Sequence, residues 1–410
     1  MPFQSLRNPL NYTAFLFPLI AVVGNKLLVV VMLCMALAAA FLAWPWKLKA
    51  WRPLLVAFGL LLLWSLLSAL WSINPVYSLL HFGRLLGAVA AGLLLCHLIL
   101  SLREGDRADI ARWLSAGLLA ASALVFLRHG WLWLVAKGSV PNVNFWLAVL
   151  PFSAIAVLSV FVLLATLETH ARSRFALAAI AAAIGATALD GSHTSSIALI
   201  AGVATYAAAL WLGRRFVRVL AVVVPILFLT GPLTLEALHL PAWIAARGWS
   251  VNHSAAHRMI IWRYVTGKIL EKPILGWGLQ TARFLPDREK PPNDDPRYAD
   301  IMGITNFAPG TKIELLPQHP HDATLHLLLE LGIVGDALYA AIYALCLLAL
   351  LRAPLSRAAL AGGAGLTVGI FVIAELSFSA WQSWWLSTQF TAVALYLAVA
   401  CRGGTAFKSS

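Results

Sequence analysis

Hydrophobic residues fall in long runs that short polar connections separate. The runs are too long for β-strands, and they lack the alternation of apolar and polar positions that marks a half-buried strand. A helix needs about 20 apolar residues to cross a bilayer. Runs that reach or approach this length lie at 11–24, 27–45, 53–71, 78–101, 110–127, 144–167, 175–190, 194–212, 217–234, 323–350, 358–380 and 384–401. The pattern predicts an all-α integral membrane protein with about 12 transmembrane helices, although the short first run could instead lie along the interface.

One connection differs from the others in length and polarity. It predicts a division into transmembrane helices 1–9 over residues 1–234, a large loop over 235–322, and transmembrane helices 10–12 over 323–410.

The loop itself is expected to contain short helices. The stretch 255–271 predicts a helix with Met259, Trp262 and Ile269 on one face. Pro273 should end it, because proline cannot continue helical hydrogen bonding. The segment from residue 286 to 309 is rich in Pro, Asp and Asn and predicts irregular structure.

Composition agrees with a membrane protein and excludes several other classes. Hydrophobic residues make up 61% of the chain and charged residues 11%, against about 25% charged residues in soluble domains. The cysteines all lie within apolar runs, which argues against a disulfide scaffold or a CxxC metal site. They are Cys34, Cys96, Cys346 and Cys401.

The net charge of +13 could indicate nucleic acid binding, but its distribution indicates topology. Alternate connections carry most of the basic residues, whereas the short connections between them hold only Lys26, Arg128 and Lys137. The positive-inside rule therefore places both termini in the cytoplasm and the loop 235–322 on the opposite side, with no nucleic acid partner. The basic set is Arg7, Lys47, Lys49, Arg52, Arg103, Arg107, Arg112, Arg172, Arg174, Arg214, Arg215, Arg218, Arg352, Arg357, Arg402 and Lys408.

The loop ends in the sequence PQHPHD, immediately before the run 323–350. Asp322 is placed to cap the following helix, and Pro320 would fix the entry of the chain. On one interpretation this is a capped helix start with two incidental histidines, His319 and His321. On the other, a histidine at the membrane surface acts as a general base near neutral pH.

Two arginines of the predicted loop helix, Arg258 and Arg263, allow a similar choice. They could reach lipid headgroups from an interfacial helix. Alternatively they could bind a phosphate or diphosphate, for which the planar guanidinium group is suited. Arg247 is a weaker candidate of the same kind.

Ionisable residues within or near the apolar runs are costly and are therefore candidates for a functional site. The alternative is an internal ion pair, such as Arg84 with Glu375, that only holds helices together. The residues concerned are His81, Arg84, Arg128, His193, Asp336 and Glu375.

Metal and nucleotide sites find little support in the sequence. The acid pairs Asp287/Glu289 and Asp294/Asp295 lie in the Pro/Asp/Asn-rich segment and are interpreted as solvated loop charges. The sequence contains no phosphate-binding glycine loop and no HExxH helix, which argues against ATP-driven transport and zinc proteolysis. We expect no metal and no cofactor.

Several segments together resemble the O-antigen ligase and polymerase superfamily of bacterial inner-membrane glycosyltransferases. The resemblance covers most of the chain. It rests on WSINP at 71–75 followed by Ser78, PNVN at 141–144 followed by Leu150 and Pro151, Arg258-x3-Trp262, Pro273-x2-Gly276-x-Gly278, and His321-Asp322 followed after nine residues by GIVG at 332–335.

Two positions depart from the family's pattern. The residue after the motif histidine is usually Asn, Ser or Gln, whereas this chain has Asp322. The family also tends to carry an arginine where this chain has His193, so that arginine's role is not transferred.

The resemblance implies an O-antigen ligase that moves a glycan from undecaprenyl diphosphate to a lipid A-core acceptor at the periplasmic face of the inner membrane. The transfer is expected to be metal-independent and inverting. His321 would be the base, and Arg258 and Arg263 would bind the diphosphate. Supporting positions are His193, Arg84, Asp322, His319 and Arg247.

Other functions remain open at this point. An O-antigen polymerase or a protein O-oligosaccharyltransferase would share the same motifs, although the latter usually carries a further C-terminal soluble region that is not expected here. A non-catalytic transporter of lipid or solute should instead spread its polar residues along a path across the membrane.

Overall fold

The computed structural model describes residues 7–42, 52–102, 109–135, 150–167, 174–237, 240–305, 307, 311 and 313–400. Within these ranges the protein is built from α-helices and short 3₁₀ turns, without strands. The helices are α1 Arg7–Val23, α2 Leu27–Leu42, α3 Arg52–Leu67, α4 Pro75–Ser101, α5 Ile110–Val135, α6 Leu150–Leu164, α7 Arg174–Asp190, α8 His193–Leu212, α9 Arg214–Ala237, α10 Leu240–Ala245, α11 His253–Glu271, α12 Ala299–Gly303, α13 Ala323–Arg352, α14 Arg357–Leu376 and α15 Ser383–Ala400.

The predicted all-helical class is confirmed for the described residues, and each of the twelve apolar runs contains a helix. Within the described ranges, six helices are long and apolar enough to cross a membrane, among them α4, α5, α8, α13 and α14. Three shorter apolar helices lie within α1, α2 and α6. The protein is therefore a multi-pass membrane protein, and the full count of twelve crossings stays a prediction.

The helices pack into one bundle whose outer surface is also apolar. The helix pairs α8 with α14, α9 with α13, α1 with α5 and α4 with α15 form its principal contacts. Large apolar side chains such as Phe41 and Trp211 are about 80% exposed at the periphery. Such faces are stable against lipid tails, which are as apolar as the side chains themselves.

The long loop has a small core of its own. Helix α11 buries Ile260, Ile261 and Val265 against Tyr298 and Leu316 from the later part of the loop. The predicted helix is confirmed, and Lys272 ends it directly before Pro273. The prediction of irregular structure from 286 to 309 is wrong in part, because two 3₁₀ turns and α12 form there.

Some sequence features lie outside the described residues. They include the PNVN segment at 141–144, Cys401, and the basic residues Lys47, Lys49, Arg103, Arg107, Lys137, Arg172, Arg402 and Lys408.

Candidate functional site

Helix α13 is broken one-third of the way along its length. Gly332 has φ 65° and ψ −169°, a conformation that is almost restricted to glycine. The break removes intrahelical donors from three buried carbonyls, which must find other partners. Trp277 N donates to Leu329 O at 2.9 Å, Gly278 N to Glu330 O at 2.8 Å, and Trp64 Nε1 to Leu331 O at 2.8 Å.

The segment Pro273–Gly278 crosses the broken helix at close range. A Cβ on Gly332 would lie 2.0 Å from Ile274 O, and a Cβ on Gly276 would lie 2.5 Å from the Glu330 carbonyl. Both distances are far inside van der Waals contact. The PxxGxG and GxxG motifs, more than 50 residues apart in sequence, therefore require glycine because their backbones touch.

The WSINP segment before α4 joins the same crossing. Trp71 Nε1 donates to Leu275 O at 3.2 Å, and Ser78 Oγ donates to Leu279 O at 2.6 Å. Leu279 N in turn donates to Ser68 Oγ at 3.0 Å. Three of the motifs that carry the family resemblance thus form one hydrogen-bonded structure.

A buried carboxylate, Glu330, holds the chain that follows the crossing. Its side chain is fully buried and accepts hydrogen bonds from Gln280 N at 2.6 Å and Ala282 N at 3.1 Å. Trp381 Nε1 at 2.7 Å and His326 Nε2 at 3.1 Å complete its partners. A buried carboxylate is tolerated when donors satisfy it on all sides. The 3₁₀ turn Thr281–Phe284 is therefore rigidly placed.

His321 occupies a strained turn at the start of α13. Its backbone is left-handed, with φ 58°, which is uncommon for a residue with a side chain. Its Nδ1 lies 2.7 Å from Ser377 O, and its backbone N–H donates to His319 Nδ1 at 3.2 Å. A carbonyl oxygen can only accept, so Nδ1 of His321 carries the proton and Nε2 keeps its lone pair.

The electrostatic surroundings keep both histidines neutral. Burial lowers the pKa of His321, and the nearby Arg258 lowers it further against the raising effect of the Ser377 carbonyl. Burial, followed by His321, His326, Arg283 and Arg258, lowers the pKa of His319 to about 2. The neutral, basic form of His321 is therefore favoured over its protonated form.

Helix α11 positions the histidine turn and places an arginine beside it. Trp262 Nε1 donates to Pro320 O at 3.1 Å. Arg258, one turn earlier, is half-buried and makes no hydrogen bond or ion pair with any residue that the structure describes. Burial lowers its pKa. A partly desolvated guanidinium group without a counter-ion is a site for an anion.

Most other cations of the loop already have carboxylate partners. Arg263 forms a bidentate pair with Asp300, at 2.5 and 3.0 Å, and also donates to Arg297 O. The predicted diphosphate role of Arg263 therefore conflicts with its geometry, since its donors are committed within the loop. The remaining pairs are Lys268 with Glu271, Arg288 with Glu289, Lys290 with Asp287, and Arg297 with Asp295.

Asp322 caps α13 as the sequence predicts, with Oδ1 accepting from Leu325 N at 2.7 Å. Glu375 lies against the same helix start, where its Oε2 accepts from Thr324 N at 3.4 Å. The suggested ion pair of Glu375 with Arg84 does not form, because Arg84 Nη1 lies 3.2 Å from His81 Nε2 instead.

The remaining predicted residues lie in different surroundings. His193 begins α8, where the next residue, Thr194, donates to Leu376 O beside the carbonyl that holds His321. Arg247 stacks on Trp243 at 3.6 Å and donates to its carbonyl, so its contacts are within its own turn. His193 thus shares the end of the bundle with His321, whereas Arg247 supports the loop.

Sequence reasoning did not single out Arg283, Glu330 or Ser377. An acid inside an apolar run is a signal that could have drawn attention to Glu330. Ser377 acts through its backbone carbonyl, and Arg283 lies in an ordinary loop sequence, so neither leaves a trace in residue type. Among the described residues, no three His, Cys, Asp or Glu side chains are grouped to hold a metal ion.

The described residues form a multi-pass helical membrane protein in which the histidine turn lies beside an arginine that pairs with no described residue, next to a broken helix. Residues 176–340 match the O-antigen ligase family. A Rickettsia felis protein that carries the name polysaccharide ligase is 27% identical over 334 residues, which is 79% of this chain and 75% of that protein. A Rickettsia conorii protein named likewise is 25% identical over 351 residues, or 83% and 79%. The chain is thus similar to the O-antigen ligase family over its middle part and to named polysaccharide ligases over most of its length.

Proposed function

We propose that the protein is an O-antigen ligase. It transfers a glycan from undecaprenyl diphosphate to the lipid A-core oligosaccharide, at the periplasmic face of the bacterial inner membrane. One observation carries this proposal. His321, whose Nε2 can accept a proton, lies close enough to Arg258 to feel its charge, and Arg258 has no partner among the described residues. The match of residues 176–340 to the O-antigen ligase family and the similarity to a named polysaccharide ligase support the reaction class.

The reaction is a single displacement at the anomeric carbon. Nε2 of His321 takes the proton of an acceptor hydroxyl, and the oxygen attacks the anomeric carbon. The bond from that carbon to the diphosphate breaks, and its electron pair stays on the departing diphosphate oxygen. The products are a new glycosidic bond of inverted configuration and undecaprenyl diphosphate, with the proton on His321 until it returns to solvent or to the leaving group.

Arg258 stabilises the charge that accumulates on the diphosphate. A guanidinium group that is already desolvated needs little reorganisation when the charge develops, so its effect on the transition state is large. Diphosphate is a good leaving group, and we propose that neither a divalent metal nor a cofactor is needed. Asp287 and Glu289, the acid pair considered for metal, are each paired with a loop cation.

The physiological reaction is tested by deleting the gene and separating lipopolysaccharide on gels. Loss of a ligase leaves bare core and accumulated lipid-linked polymer. Core that still carries a single repeat unit would instead identify a polymerase, which shares the motifs. Transfer by the purified protein in excess EDTA tests metal independence, and activity that returns only with magnesium or manganese contradicts it.

The role of Arg258 is tested against a matched arginine of the same loop. Arg258→Ala should weaken donor binding and lower turnover, and Arg258→Lys should restore activity only in part because the planar fork is lost. Arg297→Ala removes an exposed arginine that pairs with Asp295, and it should transfer normally. Equal activity of the Arg258 and Arg297 variants would remove Arg258 from the site.

The orientation is tested in a cysteine-free background. Lys290→Cys lies on the loop and should react with a membrane-impermeant thiol reagent in spheroplasts, whereas Phe216→Cys should not. The reverse labelling would place the site in the cytoplasm and contradict the use of a periplasmic acceptor.

A further inference from the structure

A second group of positive charge lies on the α4 side of the histidine turn. Arg84 and Arg283 are both exposed, and both influence His81 electrostatically. Their only hydrogen bonds to described side chains are with neutral groups, namely Arg84 with His81 at 3.2 Å and Arg283 with the Gln318 amide at 3.4 Å. They therefore differ from the loop arginines that pair with carboxylates.

The two arginines are brought together by packing. Phe284, next to Arg283, meets the ring of Tyr77 edge-on at 5.0 Å, and Tyr77 in turn stacks on His81 at 4.0 Å. This contact seats the 3₁₀ turn Thr281–Phe284 against α4 at Tyr77, about two helical turns before Arg84. Because Glu330 fixes the backbone on both sides of Thr281, the position of the Arg283 backbone is set before any ligand arrives.

Arg258 acts electrostatically on His321 and His319, and Arg283 acts on His319 and His81, so the two arginines share one neighbour, His319. His81 Nδ1 lies 2.9 Å from Tyr77 O. Its Nε2 is therefore an acceptor, and Arg84 can donate to it without charge repulsion. The positive charge at this place comes from the two guanidinium groups alone.

An open surface cleft of about 620 Å³ is lined by residues of the segment Arg283–Pro291. Its other cations, Arg288 and Lys290, pair with adjacent acids, so Arg283 is the cation of the cleft that has no carboxylate partner among the described residues.

We propose that Arg84, Arg283 and His81 form a subsite for an anionic group of the acceptor saccharide, and that the cleft beyond Arg283 holds neighbouring sugar units. The assignment rests on the proposed ligase function. A single displacement places the attacking and leaving groups on opposite sides of the reacting carbon, so the acceptor needs a binding site apart from that of the diphosphate. With Arg258 at the diphosphate, the second site belongs to the acceptor, and its ligand is a phosphate ester or a carboxylate.

The test uses the full-length protein in phosphatidylcholine bilayers with lipid A-core from a strain that lacks its ligase. Arg84→Gln and Arg283→Gln should each raise the acceptor KM about 10-fold or more, as expected for a lost charge-assisted hydrogen bond. Neither should change the donor KM. Arg297→Gln, outside the cleft, is the control.

Chemically modified acceptors identify the recognised group. One sample is stripped of phosphate esters, and a second has its carboxylates reduced. Wild type should lose affinity for one of the two, and the Arg283→Gln variant should show no further loss with that sample. Direct binding of each sample is measured as well, so that a wild type that binds acceptor but transfers nothing contradicts the ligase function and not the subsite.

Three results would overturn the proposal. A raised donor KM would assign Arg283 to the diphosphate. If Arg283→Gln loses as much affinity for each modified acceptor as for the intact acceptor, the arginine recognises no charge on the acceptor. A loss that appears only when phosphatidylglycerol is added to the bilayer would assign the arginines to a lipid headgroup.

Discussion

Gly332→Ala is the substitution that most directly tests the crossing of Pro273–Gly278 over the broken helix. The added Cβ would lie 2.0 Å from Ile274 O and 2.3 Å from Ile274 C, whereas unstrained carbon–oxygen contacts are near 3.4 Å. The crossing segment must therefore move by more than 1 Å. The backbone conformation alone costs about 1–3 kcal/mol in a residue with a side chain, and the overpacking costs about 1–3 kcal/mol more.

We expect Gly332→Ala to lose about 2–6 kcal/mol of stability, seen as a lower midpoint of thermal unfolding in detergent. Folded protein recovered at low temperature should transfer at least 100-fold more slowly, because displacements of about 1 Å near a site have effects of that size. Gly267→Ala is the matched control. It lies in α11 with open space around its Cβ position, and it should be neutral or slightly stabilising. Normal stability and activity of Gly332→Ala would refute the requirement for glycine at the crossing.

Three further predictions concern the histidine turn. Because burial and Arg258 lower the pKa of His321 and the neutral form is the base, kcat/KM should stay level as pH falls through 6.5 and decline only below it; half-loss at or above pH 6.5 would contradict this. Trp262→Phe removes the hydrogen bond to Pro320 O and should slow transfer about 10-fold with donor affinity retained; a change in donor affinity alone would point to a different role. Asp322→Asn keeps a side-chain oxygen that can accept from Leu325 N, so its melting midpoint should match wild type, whereas Asp322→Ala should lose about 0.5–2 kcal/mol; equal midpoints of the two variants would show that the cap is unimportant.

The sequence predicted the helices well because bilayer-length apolar runs leave few alternatives to a helix. The N-cap at Asp322 and the end of α11 before Pro273 were also predictable, since both depend on neighbouring residues alone. Two 3₁₀ turns and α12 were missed within 286–309, because short turns rich in proline and acid are stabilised by contacts with the loop core.

The site was predictable in its residue types but not in its partners. The sequence gives no reason to distinguish Arg258 from Arg263. In the structure Arg263 pairs with Asp300, whereas no described residue pairs with Arg258. The proton position on His321 depends on the Ser377 carbonyl, which comes from another helix end. Likewise, the glycines of two distant motifs are explained only by the contact between them. Each of these facts is a relation between distant segments, which a single sequence does not contain.

The central claim is that His321 removes the proton from the acceptor hydroxyl, and its most direct test compares His321→Ala with His319→Ala. Donor affinity and the rate of glycan transfer to lipid A-core are measured on purified, folded protein. We expect His321→Ala to transfer about 10²–10⁴ times more slowly with donor affinity nearly unchanged. His319→Ala removes the acceptor of the His321 backbone N–H and a ring contact with His321, and it should lose less than about 10-fold. Near-normal transfer by His321→Ala would contradict the account and leave the turn as a capped helix start.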